Sequence, residues 1–293
     1  MVPMGVTTWW RRLTGRTEAR GTGAPKGERR TGRAGRADGH HSPDPVRTGR
    51  PQPTGRPGRR PRPADLPAAP VLGVHAGAAG CVGALLEASG HGTPHVLVAP
   101  TVAELVAQAG PVAVVAVDLP LGLPDEGRRE ADTLTRRFVG SQASAVVTTP
   151  VRDAVYAESY GQANTLNRER AGAGVPKQAY ELRRRIMEAD AWLRQDLDHL
   201  VVEVHPEASF AMMGGTPATL RRRSSDGARE RRELLARSGI YAPTTVPHGV
   251  ATEDLLDACA AAWSAHRVRT EEAHTFPGEP QVFSDGIPAA IHV

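Results

Sequence analysis

Cysteine is nearly missing. Cys81 and Cys259 stand alone in 293 residues, with no metal-ligand spacing. That excludes a disulfide framework and suits a reducing cytoplasm with ordinary burial. Lysine is as scarce: Lys26 and Lys177 are the only two, against 34 arginines. No run of ~20 apolar residues exists, so no membrane span is expected. Trp9-Trp10-Arg11-Arg12 has paired arginines, but no apolar stretch follows, so an export signal of the twin-arginine type fails. Acidic residues are few at the start: up to Asp65 the chain has fifteen Lys and Arg against five Asp and Glu. The remainder carries 21 basic against 27 acidic residues, so the overall charge of +4 is a property of the beginning of the chain.

Two regions follow from this contrast. Residues 1–69, rich in Arg, Gly and Pro, cannot bury enough apolar surface to offset their ordering entropy and read as a disordered tail. Such an arm can meet phosphates, or be a solvated segment without a function. The folded pattern begins so abruptly at Val71 that a translation start near there is a third reading. Residues 70–293 are enough for one sizeable core.

Within that region, residues 71–74 read as a first strand, and the second half of AGAAGCVGALLEA as a strand paired with it. Residues 95–99 read as a third strand and 101–109 as a helix. Residues 112–117, nearly all β-branched, end in Asp118 and have the character of a buried central strand. Helices are expected over 127–139, 156–170, 177–194, 229–237 and 252–266, with a second buried strand over 200–204. Strands alternating with helices, after an early hairpin, predict an α/β fold with a mixed β-sheet.

Carboxylates mark where chemistry can sit. Asp118 stands at the carboxyl end of a strand, where open α/β sheets place ligands; the plainer reading is an Asp capping loop amides. Glu203, His205 and Glu207 follow the second long strand, and strand alternation predicts Glu203 and His205 on one face. Asp254 and Asp257 are three apart on one helix face. The helix dipole explains Asp254 at the first turn, and explains Asp257, further in, less well. Three acidic groups on two strands and a helix suit hard cations such as Mg²⁺ or Mn²⁺. Two such ions ~4 Å apart activate water and stabilise a leaving oxygen in phosphodiester cleavage.

The blocks VAVDLPLGLP, GRREAD, TTPVRDAVYAESYGQANTLNRERAGAGVPKQAYELRRRIMEAD, VVEVHPEASF, SSDGARERRELLARSGI and EDLLDACAAAW occur in this order. Together they resemble the domain of unknown function 429 family, described as predicted RNase H-like nucleases, over residues 71–293. The resemblance implies an RNase H-like mixed sheet flanked by helices, with the site at the strand ends. It makes Asp118 the carboxylate of the central strand, and Asp254 and Asp257 those of the C-terminal helix. Glu203, His205 and Glu207 would belong to the family's signature around the cleft. Lys177 and Arg152 are the candidates for an anionic ligand, because a lone lysine spared among arginines suits a phosphate.

One departure matters. The family opens on a strand reading roughly G-V-D-G, whose Asp would hold metals, whereas this chain reads Gly73-Val74-His75-Ala76. Imidazole is a poor Mg²⁺ ligand and a fair one for Mn²⁺ or Zn²⁺. The expectation is therefore a divalent-metal-dependent cytoplasmic nuclease, with His75, Asp118, Glu203, His205, Asp254 and Asp257 around the metal, and Asp118, Glu207 and Asp257 in catalysis. It is either adapted to another metal or impaired. The alternative is a protein that binds nucleic acid or a phosphorylated small molecule without cutting it.

Overall fold

The structure, a computed structural model, describes residues 52–77 and 80–293. Seven strands form one mixed sheet: β1 (Val71–Ala76), β2 (Cys81–Leu86), β3 (His95–Ala99), β4 (Val114–Asp118), β5 (Leu200–Val204), β6 (Thr275–Val282) and β7 (Pro288–His292). Their order across the sheet is β3-β2-β1-β4-β5-β7-β6. β1 to β3 form an antiparallel meander, while β4 runs parallel to both β1 and β5. This is the mixed α/β sheet flanked by helices expected from the sequence.

Among the described residues eight α-helices accompany the strands: α1 (Val102–Ala109), α2 (Glu130–Phe138), α3 (Arg152–Val155), α4 (Tyr160–Ala171), α5 (Lys177–Trp192), α6 (Pro206–Gly214), α7 (Ser225–Arg237) and α8 (Thr252–Arg269). α3, α6, β6 and β7 were not expected. Pro206 at the first helical position is a start signal for α6. β6 carries Pro277, Gly278 and Pro280 at the sheet's edge, where proline costs no ladder bond, so its composition mimics a loop. Among the described residues no helix is long and apolar enough to cross a membrane.

Strand alternation splits the core in two. Val71, Val114, Ala116, Val202 and Val204 pack with α8 and its neighbours. Leu72, Val74, Val115, Val117 and Val201 pack on the other face, with residues of α1 and α5. α8 lies unusually close to β1. A Cβ on Gly73 would stand 2.0 Å from the Ala262 nitrogen and 2.3 Å from the Ala258 carbonyl oxygen. The run of buried alanines at 258, 260, 261 and 262 permits this approach. It also carries the first turns of α8 to the carboxyl ends of β1 and β4.

The tail needs a correction. Its expectation for residues 1–51 lies outside the described residues, but residues 52–69 lie against the domain. The Gly58 and Arg59 amides donate to Leu193 O (3.2 Å) and Asp196 Oδ1 (2.6 Å), and Leu197 N donates to Arg59 O (2.9 Å). Gly58 sits so near the Gln195 carbonyl that a Cβ would fall 1.8 Å from its oxygen. Leu66 and Ala69 pack on the α8-side core. Backbone pairing needs no hydrophobic pattern, which is why composition missed it. Deleting residues 1–69 is therefore expected to lower Tm by roughly 4–8 °C more than deleting 1–51, the effect of losing a few kcal/mol in a domain of this size. Equal melting curves for the two truncations would show that the segment contributes nothing.

Candidate metal centre

Two adjacent strands and one helix build the site. β1 pairs with β4 so that His75 lies opposite Asp118. Alternation from Gly73 and Ala116 turns both side chains toward α8. The first two turns of α8 supply Asp254 and Asp257 on one face. His75 Nδ1 lies 2.9 Å from Asp118 Oδ2 and 3.8 Å from Asp257 Oδ2, and its Nε2 lies 3.4 Å from Asp254 Oδ1. One ligand atom each from His75, Asp118 and Asp257 can be chosen with all three within 4.8 Å of one another.

Arg222, from the loop between α6 and α7, closes this cluster. Its Nε donates to Asp257 Oδ2 (2.6 Å) and its Nη2 lies 2.8 Å from Asp254 Oδ1 and 2.5 Å from Asp257 Oδ2. Burial raises the Asp257 carboxyl to about 6, against the pull of Arg222 and His75. Burial alone would raise Asp118 too, but the hydrogen bond and charge of His75, helped by His205 and Arg222, bring it below its usual range. Burial would lower His75, yet Asp118 first, then Asp257 and Asp254, raise it above an ordinary histidine. Arg222 is likewise raised: burial is outweighed by Asp257 and Asp254.

The cleft around these groups has a volume of about 400 Å³. Its walls include Ala145 to Val147, Gln178 and Leu182 of α5, and Arg222 and Arg223. That is within the range of small-ligand pockets, roughly 300–1,000 Å³.

Several expected site residues do other work. Glu203 lines the same cleft but is not part of the cluster. It is 4 % exposed and takes Arg129 on both oxygens, at 2.7 and 2.8 Å, and the Leu121 amide at 2.7 Å. The reason is parity. Val202 and Val204 face α8, so Glu203 faces away from it, and its pairing partner is Val117 rather than Asp118. Glu207 is engaged by Arg231 Nη2 at 2.6 and 2.8 Å, with both residues buried, so it is a structural anion rather than a free catalytic base. His205 borders the cleft, its Nε2 3.4 Å from Ala145 O, but is not in the three-residue cluster. Arg152 is not open to a ligand. It is 6 % exposed and bonded to Asp190 (2.8 Å) and Gln52 (3.1 Å). Lys177 is exposed at the start of α5, beside Gln178 and Ala179 of the cleft wall, and is not itself a lining residue.

The sequence reading missed Arg222, Arg129 and Asp132. The signal for Arg222 was present: Asp257, set well inside α8 beside Asp254, requires a cation, and Arg221 to Arg223 are three consecutive arginines.

The donor set decides which ion fits. Asp257 Oδ1 is buried and has no hydrogen-bond partner, so one oxygen of this carboxylate remains for a further partner such as a cation. One imidazole and two carboxylates fit a single borderline ion such as Mn²⁺ or Zn²⁺. They do not make an all-oxygen site for a Mg²⁺ pair, because His75 offers a nitrogen and Arg222 already occupies oxygens of Asp254 and Asp257.

A mixed-sheet α/β domain that gathers carboxylates, a histidine and an arginine at the strand ends is the class defined by fold and site. The chain belongs to the family described as protein of unknown function DUF429, whose profile matches residues 73–282. No curated protein and no solved structure matches the chain.

Proposed function

We propose that this domain is a divalent-metal-dependent phosphodiesterase of the RNase H-like nuclease kind, adapted to one ion in place of two. The observation that carries the reading is the meeting of His75, Asp118 and Asp257 within 4.8 Å, with a buried oxygen of Asp257 left unpaired. His75, Asp118 and Asp257 would hold the ion, which when bound supplies a Lewis acid and a more acidic water. The chain's own groups do the rest. Asp118 holds the His75 ring in place through Nδ1. Glu203 and Arg129, locked together, keep the loop after β4 fixed through Leu121. The walls limit access to a small phosphate ester or to one segment of a strand.

The test is a cleavage assay on single-stranded, duplex and hybrid substrates with Mn²⁺ and with Mg²⁺. Activity is expected with Mn²⁺ and little with Mg²⁺, and Asp118→Asn should lower it by at least about 100-fold, as loss of a metal-centre anion does. Mn²⁺-dependent cleavage that survives Asp118→Asn unchanged would remove Asp118 from the chemistry.

A second reading has its own observation. Arg222 already neutralises part of the carboxylate charge of Asp254 and Asp257, as in a protein that binds a phosphorylated ligand without cutting it. Saturable binding of a nucleotide, with no turnover in either metal, would favour it.

A further inference from the structure

We propose that Arg222 is a built-in counter-cation that stands where a second metal ion would, so that a divalent ion enters the cleft in competition with this guanidinium. The inference rests on the metal-centre reading above.

Three observations lead to it. First, the guanidinium spans both acids of α8, at 2.5–2.8 Å from Asp257 Oδ2 and Asp254 Oδ1. It takes Asp257 through Oδ2 alone and leaves Oδ1 buried without a partner. Arg129 likewise takes Asp132 through Oδ1 alone, but there the other oxygen accepts from the Thr149 amide, whereas Asp257 Oδ1 has no partner. Second, His75 on β1 lies against the same two acids, 3.4 Å from Asp254 and 3.8 Å from Asp257, so the α8 carboxylates are met from two sides by protein groups. Third, Arg222 comes from a surface loop. Its neighbour Arg223 is 82 % exposed and only 3.8 Å from Glu253, and Arg221 is exposed. A guanidinium on such a loop has solvent beside it and can leave the acids when a divalent ion takes them.

The measurement is Mn²⁺ binding to the full chain, by calorimetry and by the electron paramagnetic resonance of free Mn²⁺. Wild type is expected to take one ion per chain, and Arg222→Gln to bind Mn²⁺ about tenfold tighter, since a unit positive charge a few ångströms away is removed. Arg222→Lys should fall between them, because an ammonium keeps the charge but cannot span both acids. Melting in chelator checks that each variant folds; if Arg222→Gln does not, Arg222→Lys carries the test. If wild type binds one ion and neither variant binds it more tightly, Arg222 is an ordinary structural cation and the inference fails while the metal centre stands. If wild type and both variants bind no Mn²⁺ at millimolar concentration, the metal centre fails and the inference with it.

Discussion

Arg129→Ala is expected to destabilise the domain by about 3–5 kcal/mol, the cost of leaving a buried ion partner uncompensated. Arg129 is 1 % exposed and sits between two carboxylates that are buried as deeply. It holds Glu203 through two nitrogens, Asp132 at 2.5 Å, and the Leu121 carbonyl at 2.8 Å. Asp132 in turn accepts from the Thr149 amide at 2.7 Å. Burial alone would lower the Arg129 pKa; Asp132 and Glu203 raise it, and the guanidinium stays charged. Without it two buried anions face each other beneath the cleft wall. The loss is a large part of the 5–15 kcal/mol typical of a domain and should lower Tm by roughly 8–15 °C. Adding Glu203→Gln to Arg129→Ala should restore part of it, because one uncompensated charge is gone. A Tm within 2 °C of wild type for the single variant would mean that water reaches these carboxylates and the network is not buried in solution.

His75→Asp is expected to have the largest effect on function. The change removes an imidazole and adds an anion opposite Asp118 on β4. Metal affinity should rise by on the order of 10- to 100-fold, the scale on which groups around a metal site act. Mg²⁺-dependent cleavage should appear or increase, since the new donor is an oxygen. The cost should appear without metal: four carboxylates would share the single cation Arg222, so Tm in chelator should fall and recover on adding Mg²⁺. Strong Mg²⁺-dependent cleavage by wild type, unchanged in His75→Asp, would sink this placement of His75.

Both variants probe a division between two paired strands, β4 and β5. The sequence marked Asp118 and Glu203 alike, each at the end of a β-branched run. They part because the register pairs Glu203 with Val117, and strand alternation then puts the two carboxylates on opposite faces of the sheet. One meets α8 and His75; the other meets Arg129. A local pattern fixes which residues alternate, but not which face receives which helix. Glu207 was drawn away by Arg231, 24 residues later, and Arg152 by Asp190, 38 residues later. Such pairings depend on loop paths that no short-range pattern encodes.

The sequence by itself determined the α/β class, the central strand ending in Asp118, the helix bearing Asp254 and Asp257, and the family. Those features are local: alternation, helical spacing and motif order are written in neighbouring residues. Only the tertiary structure decided that His75, Asp118 and Asp257 share one cluster, that Arg222 closes it, and that Glu203 and Glu207 lie outside it. It also decided that residues 52–69 are packed, through backbone bonds such as Leu197 N to Arg59 O. The physical reason is common to all of these. A buried charge must find an opposite charge, and a backbone amide an acceptor, wherever the packed chain brings one near. That partner is set by the fit of α8 onto β1 through Gly73 and its facing alanines, a long-range contact between residues nearly two hundred positions apart.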